Sequence, residues 1–127
     1  MLNGFEKQTE PLTDYEREVL LPIVIQGLKI RVGESRAITN RKMTTNLTNK
    51  GYKVSDVRVR KLINHIRNSA LVERLVATSK GYFVATDAKT MRDYIATLKG
   101  REGAIRAVRE SMEMQLAEWE GGEHENG

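Results

Sequence analysis

The chain contains no cysteine. A disulfide framework and a thiolate metal site are therefore excluded. Only two histidines occur, His65 and His124, too few to expect a structural zinc site. There are two prolines. Pro11 ends a polar stretch read as a flexible arm, residues 1–11. Pro22 falls inside a helical run, where its missing N–H predicts a kink or an early break. Aromatics are scarce, with two Phe, four Tyr and one Trp, and none form the paired strand aromatics on which single-stranded nucleic acids stack. The longest apolar run, Val19 to Ile25, is far short of the roughly 20 residues that cross a bilayer. Met1 to Pro11 lacks a basic stretch followed by an apolar one, so no secretory signal is expected, and a cytoplasmic protein fits. Glycine-rich phosphate loops are missing too: Gly121 and Gly122 have no Lys-Ser or Lys-Thr after them. No carboxylate pair is evident, and no serine or acidic cluster accompanies His65. The expectation is a protein without catalysis, cofactor, metal or small-molecule substrate.

What is present is one domain's length, 127 residues, enough for a modest single core. Its charge is unevenly placed. Between Arg36 and Lys80 lie eleven Lys/Arg and two acids, Asp56 and Glu73, a local net of +9; the whole chain is +4, so the remainder sums to −5. Confining positive charge to one contiguous third suits a polyanionic partner, because each neutralised phosphate releases condensed counterions.

The pattern of elements coincides with that window. Thr13 and Glu16 form a capping box. A first helix should follow to about Lys29 or Arg31, with Tyr15, Val19, Leu20, Ile23, Val24 and Leu28 on its apolar face. Ala37 to Thr39 reads as a short β-type piece, and a helix from Asn40 to Lys50 turns Met43 and Leu47 inward. Gly51 is the expected stop, with Tyr52 and Val54 packing over the turn. Ser55 is a good N-cap, with Asp56 placed to suit the helix dipole. From Asp56 to Ser69, Val59, Leu62, Ile63 and Ile66 recur at i, i+3, i+4 and i+7, one apolar stripe. Leu75–Thr78 and Tyr82–Ala85 form a hairpin around Ser79, Lys80 and Gly81. Thr86 and Asp87 then cap a helix to about Lys99, Gly100 breaks it, and a last helix reaches about Trp119. Residues 121–127, polar and glycine-rich, are expected to be disordered. The organisation expected is an arm (1–11), a winged helix-turn-helix domain (12–86), a helical extension (87–120) and a tail (121–127).

Wheel arithmetic on the Asp56–Ser69 helix places Val57, Lys61, Asn64 and Asn68 opposite the apolar stripe, flanked by Arg58 and His65 on one side and Arg60 and Arg67 on the other. Beyond Asp56 this face carries no carboxylate. Base edges in the major groove are read by arginine or lysine forks on guanine and by carboxamides on adenine, and the first half of the second helix does the reading in a helix-turn-helix. The base-reading candidates are accordingly Val57, Arg58, Arg60, Lys61 and Asn64, Val57 against a thymine methyl. Candidates for sugar-phosphate contact, which positions without reading sequence, are Arg41, Lys42, Thr44, Thr45, Lys53, His65, Arg67, Asn68, Arg74 and Lys80. The alternative for all of them is an ordinary solvated basic surface.

At the C-terminal end Ile105, Val108, Met112, Leu116 and Trp119 form a further stripe. It either folds back onto the domain or pairs with a second copy, giving a dimer that binds two half-sites.

The segments Ala37–Asn40, Gly51–Asn68 (GYKVSDVRVRKLINHIRN), Ala77–Tyr82 (ATSKGY) and Leu98–Arg109 (LKGREGAIRAVR) resemble a family of small winged-helix proteins of phages, prophages and mobile elements of Bacteroides-like bacteria. The resemblance covers about Leu12 to Met112. It implies a winged-helix DNA-binding fold. The expected fold is thus α+β, a winged helix-turn-helix with a short hairpin wing and a C-terminal helical extension. The expected function is non-catalytic binding of double-stranded DNA, regulating transcription or replication of a mobile element. The alternative is an interaction module that recruits a replication or regulatory protein through the C-terminal helix.

Overall fold

The computed structural model describes residues 11–126, with side chains through Gly122. The expected arm lies outside the described residues apart from Pro11. The capping box forms as expected: the Thr13 amide donates to Glu16 Oε1 (2.8 Å) and the Glu16 amide to Thr13 Oγ1 (3.1 Å). A π-helical turn, Glu16–Leu20, comes next and runs directly into α1, Leu21–Lys29. Pro22 therefore neither ends the helix nor interrupts it. The wider turn before it accommodates the missing donor and the ring. This turn also sets which side chains face inward. Glu16, Leu20, Val24 and Leu28 are buried, at uniform spacings of four, whereas Tyr15 and Val19, expected on the apolar face, are exposed.

A 3-10 turn at Glu34–Arg36 leads to α2, Asn40–Asn49. Thr39 caps it, accepting from the Lys42 amide (3.1 Å). The end is a Schellman motif: the Tyr52 amide donates to Leu47 O (3.1 Å) and the Gly51 amide to Thr48 O (3.0 Å), with Gly51 at φ +91°. Only glycine adopts that conformation without steric cost. Ser55 then caps α3, Asp56–Asn68, accepting from the Arg58 amide (3.3 Å). Asn40 ties the starts of α2 and α3 together, its Nδ2 donating to Asp56 O at 2.8 Å. That bond and the short Schellman turn fix the angle between the two helices.

Strands β1 (Leu75–Thr78) and β2 (Gly81–Val84) pair antiparallel, in the register Leu75↔Val84 to Thr78↔Gly81. The loop between them is two residues, Ser79 and Lys80, one shorter than expected, because Gly81 opens β2. The far edge of β2 is covered by the chain between α1 and α2. Ile38 exchanges two backbone hydrogen bonds with Tyr82 (3.0 and 2.8 Å), and Val32 bridges to Val84. The β-type piece expected at Ala37–Thr39 is thus this single bridge. It explains why position 81 is glycine: its φ is +121°, and a Cβ there would meet Ile38 O at 2.4 Å.

The core combines Leu20, Val24 and Leu28 with Met43 and Leu47 of α2 and Val59, Leu62, Ile63 and Ile66 of α3, all buried, and with Ile38, Val72 and Leu75. Tyr52 and Val54 pack over it.

After β2, Asp87 accepts from the Thr90 amide (2.7 Å), and one helix, α4, runs from Ala88 to Asn126. Gly100 does not break it, and helix continues through Gly121 and Gly122 where a disordered tail was expected. Residues 92–127 form a compact unit separate from the preceding one. Three N-terminal helices, a hairpin and a long C-terminal helix make an α+β topology consistent with a winged helix. Among the described residues no helix is long and apolar enough to cross a membrane.

Candidate nucleic-acid interface

The helix α3 divides cleanly. Val59, Leu62, Ile63 and Ile66 have no exposed surface. The periodicity that buries them forces the intervening residues outward, so Arg60 and Asn68 are exposed and Val57, Lys61, Asn64, His65 and Arg67 half-exposed. Within this row Arg67 Nη1 donates to Asn64 Oδ1 at 3.3 Å. That bond orients the carboxamide so that its NH2 group, the donor half an adenine N7 would need, lies away from Arg67.

Arg58, a base-reading candidate by its place on the helical wheel, is engaged on the other side of the helix. Its guanidinium turns back toward the start of the first helix. Nε donates to Glu16 Oε2 (2.7 Å), and Nη2 donates to Glu16 Oε1 (2.5 Å) and to Pro11 O (3.0 Å). The pair is enclosed, with side-chain exposures of 14% for Arg58 and 6% for Glu16. Hydrogen bonding from Arg58 holds the Glu16 carboxyl below its ordinary pKa, more than burial raises it, and the Thr13 amide adds to the effect. Arg58 therefore fastens α3 to the first helical turn.

The positioning candidates fare unequally. Arg41, Lys42 and Lys53 are exposed on α2 and the turn after it. The hydroxyls of Thr44 and Thr45 donate to Asn40 O and Arg41 O, both at 3.0 Å. They keep only acceptor lone pairs, which a phosphate oxygen does not need. Arg74 is exposed just before β1, in a left-handed conformation at φ +59°. Lys80, at the hairpin tip, meets Glu34 of the 3-10 turn at 2.9 Å, which raises its ammonium pKa. Both partners are well exposed, so water competes for the pair and screening weakens it.

Sequence reasoning missed two contributors, Glu16 and Asn40. Neither touches the outer face. Each sets where α3 stands, Glu16 through Arg58 and Asn40 through the Asp56 carbonyl. The capping box announced Glu16, but its partner lies 42 positions away and no local pattern points to it.

Ile105, Val108, Met112, Leu116 and Trp119 are all exposed on α4, as is Met114. Among the described residues no group of three or more histidines and acids is placed to hold a metal ion. Compared with protein-family models, curated proteins and solved structures, the chain matches none.

Proposed function

We propose that this chain is a winged helix-turn-helix protein that binds double-stranded DNA without catalysis, with α3 in the major groove. The observation that carries the reading is the two-sidedness of α3. Its inner face is wholly occupied by the core, while its outer face presents Arg60, Lys61, Asn64, Arg67 and Asn68 with no carboxylate beyond Asp56. A solvated helix with no polyanionic partner ordinarily mixes both signs of charge. Arg60, Lys61 and Asn64 carry the base contacts, with Val57 against a methyl. Arg41, Lys42, Lys53, Arg67 and Arg74 hold the backbone, and Lys80 exchanges Glu34 for a phosphate as the wing approaches. The resemblance of the segments between residues 37 and 109 to winged-helix proteins of phages and mobile elements supports a regulatory role in transcription or replication of such an element.

The test is a fluorescence titration on duplex DNA across a salt series. With about six phosphates neutralised, log affinity falls against log salt with a slope of roughly −5. A flat dependence, or no binding at low salt, refutes the reading.

A further inference from the structure

We propose that a second copy of this chain covers the exposed apolar face of α4, with the two helices antiparallel. Ile105, Val108, Met112, Leu116 and Trp119 are 70%, 62%, 53%, 52% and 70% exposed. They succeed one another at spacings of three, four, four and three, an average of 3.5 residues. That period keeps a seam facing one neighbouring helix along its whole length. The helix also needs such a neighbour. Gly100, Gly103, Gly121 and Gly122 all lie within it, and nothing stands within 4 Å of where a Cβ would be. Glycine is the poorest helix former after proline, and among the described residues no close approach accounts for it. Helices of this composition draw their stability from packing of an apolar face.

Charge then selects the occupant and its direction. From Lys99 to Arg109 stand four cations, Lys99, Arg101, Arg106 and Arg109, against Glu102 alone. From Glu110 to Glu120 stand four carboxylates, Glu110, Glu113, Glu118 and Glu120, and no cation. A two-fold interface must be self-complementary. Parallel pairing sets cations beside cations and carboxylates beside carboxylates. Antiparallel pairing sets the basic half of each helix along the acidic half of the other. The sign changes between Arg109 and Glu110, so the two-fold axis passes there, within the apolar stripe between Val108 and Met112. The surface is thus complementary to itself in one direction only. This inference stands apart from DNA binding and draws on none of the residues assigned to it.

Because the chain has no cysteine, single spin labels can be placed cleanly in the full-length protein. Thr97→Cys and Ser111→Cys lie two heptads apart on one face. At 1.5 Å rise per residue about an axis between Arg109 and Glu110, the two labels at position 111 are offset along the helices by about 5 Å and those at position 97 by about 38 Å. Dipolar spectroscopy should therefore give a short distance at 111 and a long one at 97. Val108→Glu should abolish both, with the mass from light scattering falling from dimer to monomer. Equal short distances at the two positions would mean parallel helices and overturn the proposal. So would a monomeric chain at tens of micromolar, or a dimer indifferent to Val108→Glu.

Discussion

Replacing Glu16 by glutamine removes one charge and turns the oxygen that accepts from Arg58 Nε into an amide donor. The side chain keeps its shape, and its amide oxygen can still accept from the Thr13 amide, which Glu16 Oε1 accepts at 2.8 Å. What is lost is the anion facing Arg58, whose side chain is 14% exposed and makes two bonds to that carboxylate. Breaking a buried ion pair by removing one partner costs about 3–5 kcal/mol. Two features lower that figure. The glutamine oxygen still accepts one bond, and Pro11 O still accepts from Arg58 Nη2 at 3.0 Å. A loss of about 2–3 kcal/mol is expected, which for a domain of this size lowers Tm by roughly 10–20 °C.

The pH dependence gives the sharper check. Arg58 holds the native carboxyl below its ordinary value of 4.5. A carboxyl with a depressed native pKa contributes its full stabilisation above its unfolded value, and the contribution disappears as pH falls through the native one. Wild type should therefore exceed Glu16→Gln by a constant margin at neutral pH. The margin should narrow steadily as pH falls through about 4.5, where the unfolded carboxyl is half protonated. Calorimetric melting of both proteins from pH 7 to pH 3 measures it. Arg58→Met and the double variant complete the cycle, and the double variant should lose less than the two single losses combined. A Glu16→Gln protein within about 0.5 kcal/mol of wild type at pH 7, below even the usual surface-mutation scatter, would refute the argument. A margin that acid leaves unchanged would do the same.

Ala70 closes α3 at φ +51°, with the Leu71 amide bonded to Ile66 O at 3.0 Å; a left-handed L-residue costs about 1–2 kcal/mol, so Ala70→Gly should raise Tm in the same calorimeter by several degrees, and a decrease would show that the end of α3 is held by something other than this turn. Lys61→Ala and Asn64→Ala should each cost about 1–3 kcal/mol on a preferred duplex and relax its specificity. Lys42→Ala should weaken preferred and random duplexes alike, and equal losses for all three variants would mean that α3 does not read bases.

The parts of this fold that were legible in the sequence are those whose cause is local. The apolar stripe of α3, the caps at Thr13 and Ser55 and the stop at Gly51 each depend on residues within a few positions, and each is found where that pattern places it. Gly51 and Gly100 mark the limit of local pattern. Both are glycines after a helical run, yet one takes φ +91° and the other stays helical. The difference lies in the residues downstream. After Gly51 come Tyr52, Lys53 and Val54 and then Ser55, which prefers to cap a new helix. After Gly100 come Arg101 and Glu102, then a second glycine, Gly103, and Ala104, Ile105 and Arg106; the strong helix formers among them carry the chain across a penalty of about 1 kcal/mol per glycine. A glycine thus ends a helix only when its successors decline to continue it. Arg58 marks the other boundary. On a helical wheel it is one of several cations beside the outer face, as eligible for DNA as Arg60. Its side chain is withdrawn by Glu16, 42 positions earlier, once the first helix packs against α3. Charge count and periodicity register the presence of a cation; whether it is available to a partner is decided by the tertiary contact that reaches it first.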